Sequence, residues 1–355
     1  MVKQMSNEIN FLISEMTFLR LFMPLVIEGN RRGIKSNFFY FGASGKYNCV
    51  SNPRNKPILI EILEKHNASA FPVEVIPFLQ EQKPNFARSP FFCVCGVGLN
   101  HAPPGSKIFS MTYGSDFINM YDRYIDKVDH VIFPGKDFAI STGKMSDRNL
   151  YLGSPKFGTF YDKDEVCEKY KLSRDNKKAL IIFPDYGKYP PKIELLDVYE
   201  ALTQLNYEII VKSRGKNPVH AKGRGDYYFE DPSWFPHTTL ELIEISDIVV
   251  THAASATLKE IINLRKPFLD LDVTFKKQAG KNPRPTIRDN FSFLYEYDFY
   301  RNISEDMSVE DVKKEILALE SADLEAQFDL AIQNHFCKRE AICGNILQKA
   351  FELTK

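Results

Sequence analysis

The residues best suited to chemistry form the stretch 251–261, Thr-His-Ala-Ala-Ser-Ala-Thr-Leu-Lys-Glu-Ile. It follows the apolar run 248–250 and leads into a helical pattern that continues through Ile262. Strand, small-residue turn and helix in that order can present backbone N–H groups and a helix N-terminus to an anion. Ala254, Ser255, Ala256 and Thr257 are therefore candidate donors to a diphosphate, with His252 beside them as a further donor. The same small residues also suit an ordinary close-packed turn. Lys212 and Arg214 close an earlier strand, in Val-Lys-Ser-Arg-Gly, and ligands of open α/β sheets collect at the carboxyl ends of strands. Two cations there can stabilise a leaving diphosphate, or can simply be solvated.

A base for the other half of a transfer reaction is sought earlier in the chain. Asp116 follows the strand 107–111 and the turn Thr-Tyr-Gly-Ser, where a carboxylate can take a proton from a hydroxyl. Aspartate there can equally cap the helix expected over 118–124. His101, on the loop Gly-Val-Gly-Leu-Asn-His, is the rival, and a surface loop histidine is its plainer reading. Asp270-Leu-Asp272 has the spacing of a metal-binding pair but ends an apolar strand after Lys266-Pro267. No bound metal and no cofactor are expected.

These residues need elements to hold them. The first half reads as strands at 9–14, 37–41, 73–76, 91–95, 107–111, 128–133 and 149–152, with helices at 18–28 and 57–66. The Gly-Ser-Pro-Lys-Phe-Gly stretch at 153–158 breaks the pattern, and the alternation then restarts. Strands are expected at 179–183, 207–212, 227–229, 248–250 and 267–270, with helices at 193–205 and 238–245. Thr238 and Glu241 have capping-box spacing, as do Thr257 and Glu260. From residue 308 onward the pattern is helical, with one long helix expected over 323–351. Alternating strands and helices of this length imply two doubly wound α/β domains. The expected division is 1–155, 156–322 and a helical tail, 323–355, packing back on the first domain.

Composition narrows the partners. The chain has 355 residues, with 46 Lys plus Arg against 46 Asp plus Glu, so no global field favours nucleic acid. Six cysteines (Cys49, Cys93, Cys95, Cys167, Cys337 and Cys343) lack zinc-site spacing and read as buried thiols of a reducing compartment. Glu15, Arg20 and Glu28 interrupt the N-terminal apolar segments, so neither a membrane span nor a signal peptide is expected. The expectation is a cytoplasmic protein able to associate peripherally with a membrane.

The second half resembles the C-terminal domain of GT-B glycosyltransferases. The resemblance rests on Pro184 and Lys212 after successive strands, Glu230-Asp231 in a loop, Ser-Asp-Ile-Val-Val-Thr-His-Ala-Ala-Ser at 246–255, and Lys266-Pro267. Within that superfamily it is most similar to CDP-glycerol glycerophosphotransferases and related polysaccharide-building enzymes, with UDP-GlcNAc 2-epimerases as cousins. Leu-Gly-Ser-Pro at 152–155 is similar to that family's Gly-x-Pro before the interdomain crossover. The family's Asp-Tyr pair is absent from the 251–255 turn, and Tyr113 stands where its histidine is expected. The resemblance implies a GT-B-like α/β fold, with two Rossmann-type domains facing across a cleft. It implies that Lys212 contacts the nucleotide, that Glu260 holds the ribose, and that Trp234 or Phe235 stacks on the nucleobase. Packing of a proline-rich loop is the alternative for that aromatic pair. The implied function is sugar transfer from a nucleotide-diphosphate sugar to a glycan or lipid-linked acceptor. Polyol-phosphate transfer from a CDP donor, UDP-sugar 2-epimerisation and a non-catalytic nucleotide-sugar binding module are the alternatives.

Overall fold

The computed structural model describes residues 7–42, 48–83, 85–113, 121–136, 143, 146–182, 190–213, 225–229, 234–252, 257–273 and 292–354. The chain divides into two compact units, residues 1–159 with 335–355, and residues 160–334.

The first unit is built on seven parallel strands: β1 (Glu8–Ile13), β2 (Lys35–Tyr40), β3 (Ala68–Pro72), β4 (Phe91–Val94), β5 (Ile108–Met111), β6 (His130–Phe133) and β7 (Asn149–Tyr151). Their order across the sheet is β3-β2-β1-β4-β5-β6-β7. Successive phenylalanines alternate between faces, as the two-residue strand period requires. Phe11 sits level with Phe38 and Phe92, at ring-centroid distances of 4.7 and 5.6 Å. Phe22, from helix α1 (Leu19–Arg31), covers this face at 4.9 Å from Phe11. Leu12, Phe39 and Phe91 occupy the opposite face with Val73, Ile76 and Phe86. Burial on both faces is what makes these strands continuous apolar runs.

Helix α2 (Asn55–Lys65) leads into β3. Residues 73–76, expected as a strand, instead form a 3-10 turn (Val73–Val75) entering helix α3 (Ile76–Gln82). Pro72 before the turn and Pro77 in the first helical turn explain this, since proline suits a helix start and interrupts a strand ladder.

The second unit has six parallel strands: β8 (Lys178–Ile182), β9 (Glu208–Lys212), β10 (Tyr227–Phe229), β11 (Ile248–Thr251), β12 (Phe268–Leu271) and β13 (Tyr300–Ile303), ordered β10-β9-β8-β11-β12-β13. Its helices are α4 (Lys163–Tyr170), α5 (Leu195–Gln204), α6 (Thr238–Ile245), α7 (Leu258–Asn263), α8 (Val309–Ser321) and α9 (Glu325–His335). Val198 and Leu202 of α5 and Val312 and Ile316 of α8 bury one face of the sheet against Ile181, Ile209, Val250 and Leu269. Aspartates fix the strand starts: Asp247 accepts from the Lys178 N–H at 2.7 Å, and Asp226 from the Ile209 N–H at 2.7 Å.

Two helix starts differ from expectation. Thr238 lies inside α6 behind an N-cap at His237, so no Thr238–Glu241 capping box forms. Glu241 is buried instead and accepts from Lys169 at 2.7 Å and from the Tyr170 hydroxyl at 2.6 Å. A capping box does form at Ser308 and Asp311, opening α8.

The expected single helix over 323–351 is two helices, α9 and α10 (Arg339–Thr354). Helix α10 belongs to the first unit and packs on α1, where Arg32 donates to the Gly344 carbonyl at 3.4 Å. Arg339 donates to the carbonyls of Phe157, at 2.7 Å, and Thr159. Gly153 has φ +90°, and a Cβ there would lie 2.7 Å from Ile342 of α10, so both the backbone and the close approach require glycine.

Candidate functional site

In a doubly wound sheet, the crevice for a ligand opens outside the carboxyl ends of the strands, where the strand order reverses. In the second unit that point falls between β8 and β11. β11 ends at Thr251 and His252 follows it, so both stand beside the switch point, and Thr257 opens the next described segment.

The register across this edge brings the candidates into one row. Lys212 pairs with Phe229 on one side and Ile182 on the other. Thr251 pairs with Asp270, and Val250 with Ile181, which sets Thr251 level with Ile182. Lys212 is thus two strands from Thr251, about 10 Å at the usual strand spacing. Its side chain is buried, and its ammonium donates to the Ser213 carbonyl at 2.9 Å.

His252 and Glu260 are also buried, at 6% and 3% exposure, so the edge concentrates polar groups in a desolvated setting where their interactions strengthen. Thr257 stands at the N-cap of α7 in helical conformation and makes no side-chain cap bond, so the Thr257–Glu260 capping box does not form. Trp234 and Phe235 are half-buried in the segment leading to α6. Arg214, Ala254, Ser255 and Ala256 lie outside the described residues.

The Asp-x-Asp pair is divided between roles. Asp270 is fully buried and accepts from the Tyr300 hydroxyl at 2.8 Å, whereas Asp272 pairs with Lys192 at 2.9 Å.

In the first unit the strand order reverses between β1 and β4. Ser14 and Glu15 follow β1, and the loop 95–101 follows β4. The Glu15 carboxylate accepts from Asn48 at 2.7 Å and from Thr17 at 3.3 Å. Gly98 has φ +87°, and a Cβ there would meet the Phe41 ring at 2.6 Å. His101 packs on the same ring, with centroids 4.7 Å apart. Asp116 lies outside the described residues. None of the six cysteines forms a disulfide. Burial pushes the Cys93 and Cys95 thiols up to about 12, which keeps both protonated and poorly nucleophilic.

Sequence reasoning passed over three groups at this edge. Arg20, on the first turn of α1, donates to the Tyr113 hydroxyl across 3.5 Å. The Lys156 ammonium lies 6.0 Å from the Tyr113 ring centroid. Ser14 is buried at the end of β1. The available signal was a cation in the first turn of a helix whose next seven residues, 21–27, are all apolar, shortly after a buried strand.

The two doubly wound parallel sheets and the helical tail constitute the GT-B α/β fold. The wall teichoic acid polymerase TagF aligns over 98% of this chain and 89% of its own, with a TM-score of 0.63 at 13% identity. A UDP-N-acetylglucosamine 2-epimerase from Listeria monocytogenes, described as putative, aligns over 99% and 98%, with a TM-score of 0.60 at 13% identity. A glycotransferase of kitacinnamycin aligns over 98% and 97%, with a TM-score of 0.56 at 11% identity. No protein-family model matches the chain, and no curated protein matches it in sequence. No described helix is long and apolar enough to cross a membrane.

Proposed function

We propose that the protein is a glycosyltransferase that moves a sugar from a nucleotide-diphosphate donor to a hydroxyl acceptor in glycan or surface-polysaccharide synthesis. The observation that carries this reading is the position of Thr251 and His252 at the carboxyl end of β11, beside the switch point of the second sheet, with Thr251 level with Lys212. The fold shared with glycosyltransferases supports it. In this reading the 254–257 turn, Lys212, Arg214 and His252 hold the diphosphate. Glu260 holds the ribose, and Trp234 or Phe235 meets the base.

The chemistry is displacement at the anomeric carbon. The acceptor oxygen forms the new bond, the bond to the diphosphate oxygen breaks, and the acceptor proton passes to a base. Negative charge grows on the departing diphosphate, where fixed N–H groups and the Lys212 ammonium stabilise it more than in the ground state. Asp116 and His101 remain the candidate bases. The position of His101 against Phe41 favours a packing role for that residue. Metal independence and peripheral membrane association belong to the same proposal.

A thermal-shift panel of UDP, GDP, CDP, CMP and TDP tests it. A ligand at about a hundred times its Kd adds about 2.7 kcal/mol of apparent stability. Lys212→Ala is expected to weaken binding of the responding nucleotide about tenfold, the loss of one charge-assisted contact. An unchanged affinity removes Lys212 from the site, and a silent panel overturns the proposal. The TagF structure comes from a soak with CDPG, so a response confined to CDP would transfer the reading to a polyol-phosphate donor.

A further inference from the structure

We propose that Arg20, Ser14 and Tyr113 form an oxyanion-binding site in the first unit, selective for a substrate bearing a phosphate or carboxylate. Three observations on the unit itself converge.

The first is position. Ser14 and Arg20 lie on the connection from β1 into α1, at the point where the strand order of the seven-stranded sheet reverses. Tyr113 follows β5 at the same edge. The second is unused donor capacity. A guanidinium carries five N–H donors in a planar fork matched to two oxygens of an oxyanion. Among the described residues Arg20 makes one long bond, to the Tyr113 hydroxyl at 3.5 Å, and no ion pair. Its Nε is shielded from solvent and has no hydrogen-bond partner there, and the same holds for the Ser14 hydroxyl. Polar groups left in that state are costly, and a bound oxyanion nearby can recover that cost.

The third is field. Lys156 adds a second positive charge beside Tyr113. Among the described residues the Glu15 carboxylate is engaged by Asn48 and Thr17. An oxyanion bound by Arg20 and Tyr113 therefore meets the guanidinium and the phenol hydroxyl on the side of Tyr113 that Lys156 approaches. Identification of that ligand as the acceptor rests on the proposed transferase function; the site itself does not.

The test is calorimetric titration of the full chain with inorganic phosphate, glucose 6-phosphate, glucuronate and glucose, the last as neutral control. Binding of the two charged sugars without glucose is expected, and their ranking separates phosphate from carboxylate. Arg20→Gln is expected to weaken the preferred charged sugar at least about tenfold while leaving nucleotide binding unchanged, and Lys212→Ala to do the reverse. Loss of nucleotide binding with retention of the Arg20-dependent site would sink the transferase reading alone. Equal affinity in wild type and Arg20→Gln, or equal binding of charged and neutral sugars, overturns the oxyanion site. A measurement on wild type avoids dependence on variant folding: the preferred charged sugar should protect Arg20 from phenylglyoxal, mapped by mass spectrometry. Undiminished labelling at saturation also overturns the proposal.

Discussion

At the scale of single residues, partners rather than burial distinguish one buried carboxylate from another: Glu241 and Glu260 are equally buried, and Glu241 is held by Lys169 and Tyr170. Glu260 was legible in the sequence as a carboxylate in the first turn of a helix, with two roles competing for it. The missing cap bond at Thr257 removes one of them. Glu260→Gln is therefore expected to weaken a nucleoside diphosphate about tenfold and leave inorganic pyrophosphate unaffected, because a ribose contact is absent from the latter. Equal weakening of both by calorimetry would exclude a ribose role. Asp129 illustrates the structural case. Burial opposes its ionisation, yet hydrogen bonds from Lys107 at 2.8 Å and the Ile108 N–H at 2.9 Å outweigh it and hold the carboxyl below its usual range. Its stabilisation is present above the unfolded value near 3.8 and lost as pH falls through the folded value. Urea midpoints at pH 7 and pH 3 should therefore differ more in wild type than in Asp129→Asn. An equal difference would show that the carboxylate adds nothing.

At the scale of elements, the strands buried on both faces were readable because apolar residues dominate them. β1, β4, β8, β9 and β11 all appear as short apolar runs near their observed positions. Edge elements were less legible. β13, Tyr-Arg-Asn-Ile, is short and half polar, and only pairing with β12 gives it a strand identity. Val73–Val75 has β-branched composition but neighbouring prolines that outweigh it. The interruption between α9 and α10 carries no proline and no glycine, and it falls where the chain passes from one unit to the other. The contact beside it is nonetheless marked in sequence by Gly153. Gly153→Ala combines left-handed strain with a clash against Ile342, so a loss of about 1–3 kcal/mol is expected in chemical denaturation. A change below about 0.5 kcal/mol would mean that α10 yields freely.

At the scale of the whole molecule, the two units differ in how the chain composes them. The second is one continuous segment, 160–334, whereas the first joins 1–159 to 335–355. Fold class was legible because strand and helix alternate twice along the sequence. Strand ends were legible too, but the switch point and the level of Lys212 with Thr251 were not, since strand order and register follow from pairings between distant segments. Deleting residues 336–355 removes the α10 cover from α1, including buried Ile342, Ile346 and Leu347. Calorimetric unfolding of that truncation should lower the transition assigned to the first unit and spare that of the second. Assignment follows from the isolated 160–334 segment, and a truncation that leaves both transitions in place would show α10 to be dispensable.

The divided first unit also bears on the order in which the protein is completed on the ribosome. Domains form as units while the chain emerges, the N-terminal one usually first. Here the α10 segment leaves the exit tunnel after the whole of the second unit, although it covers a helix made before that unit. The continuous second unit can therefore finish folding while the first still exposes the apolar side of α1. A helix made before the whole second unit thus waits for a contact made after it, and throughout that interval it is a surface a chaperone would recognise.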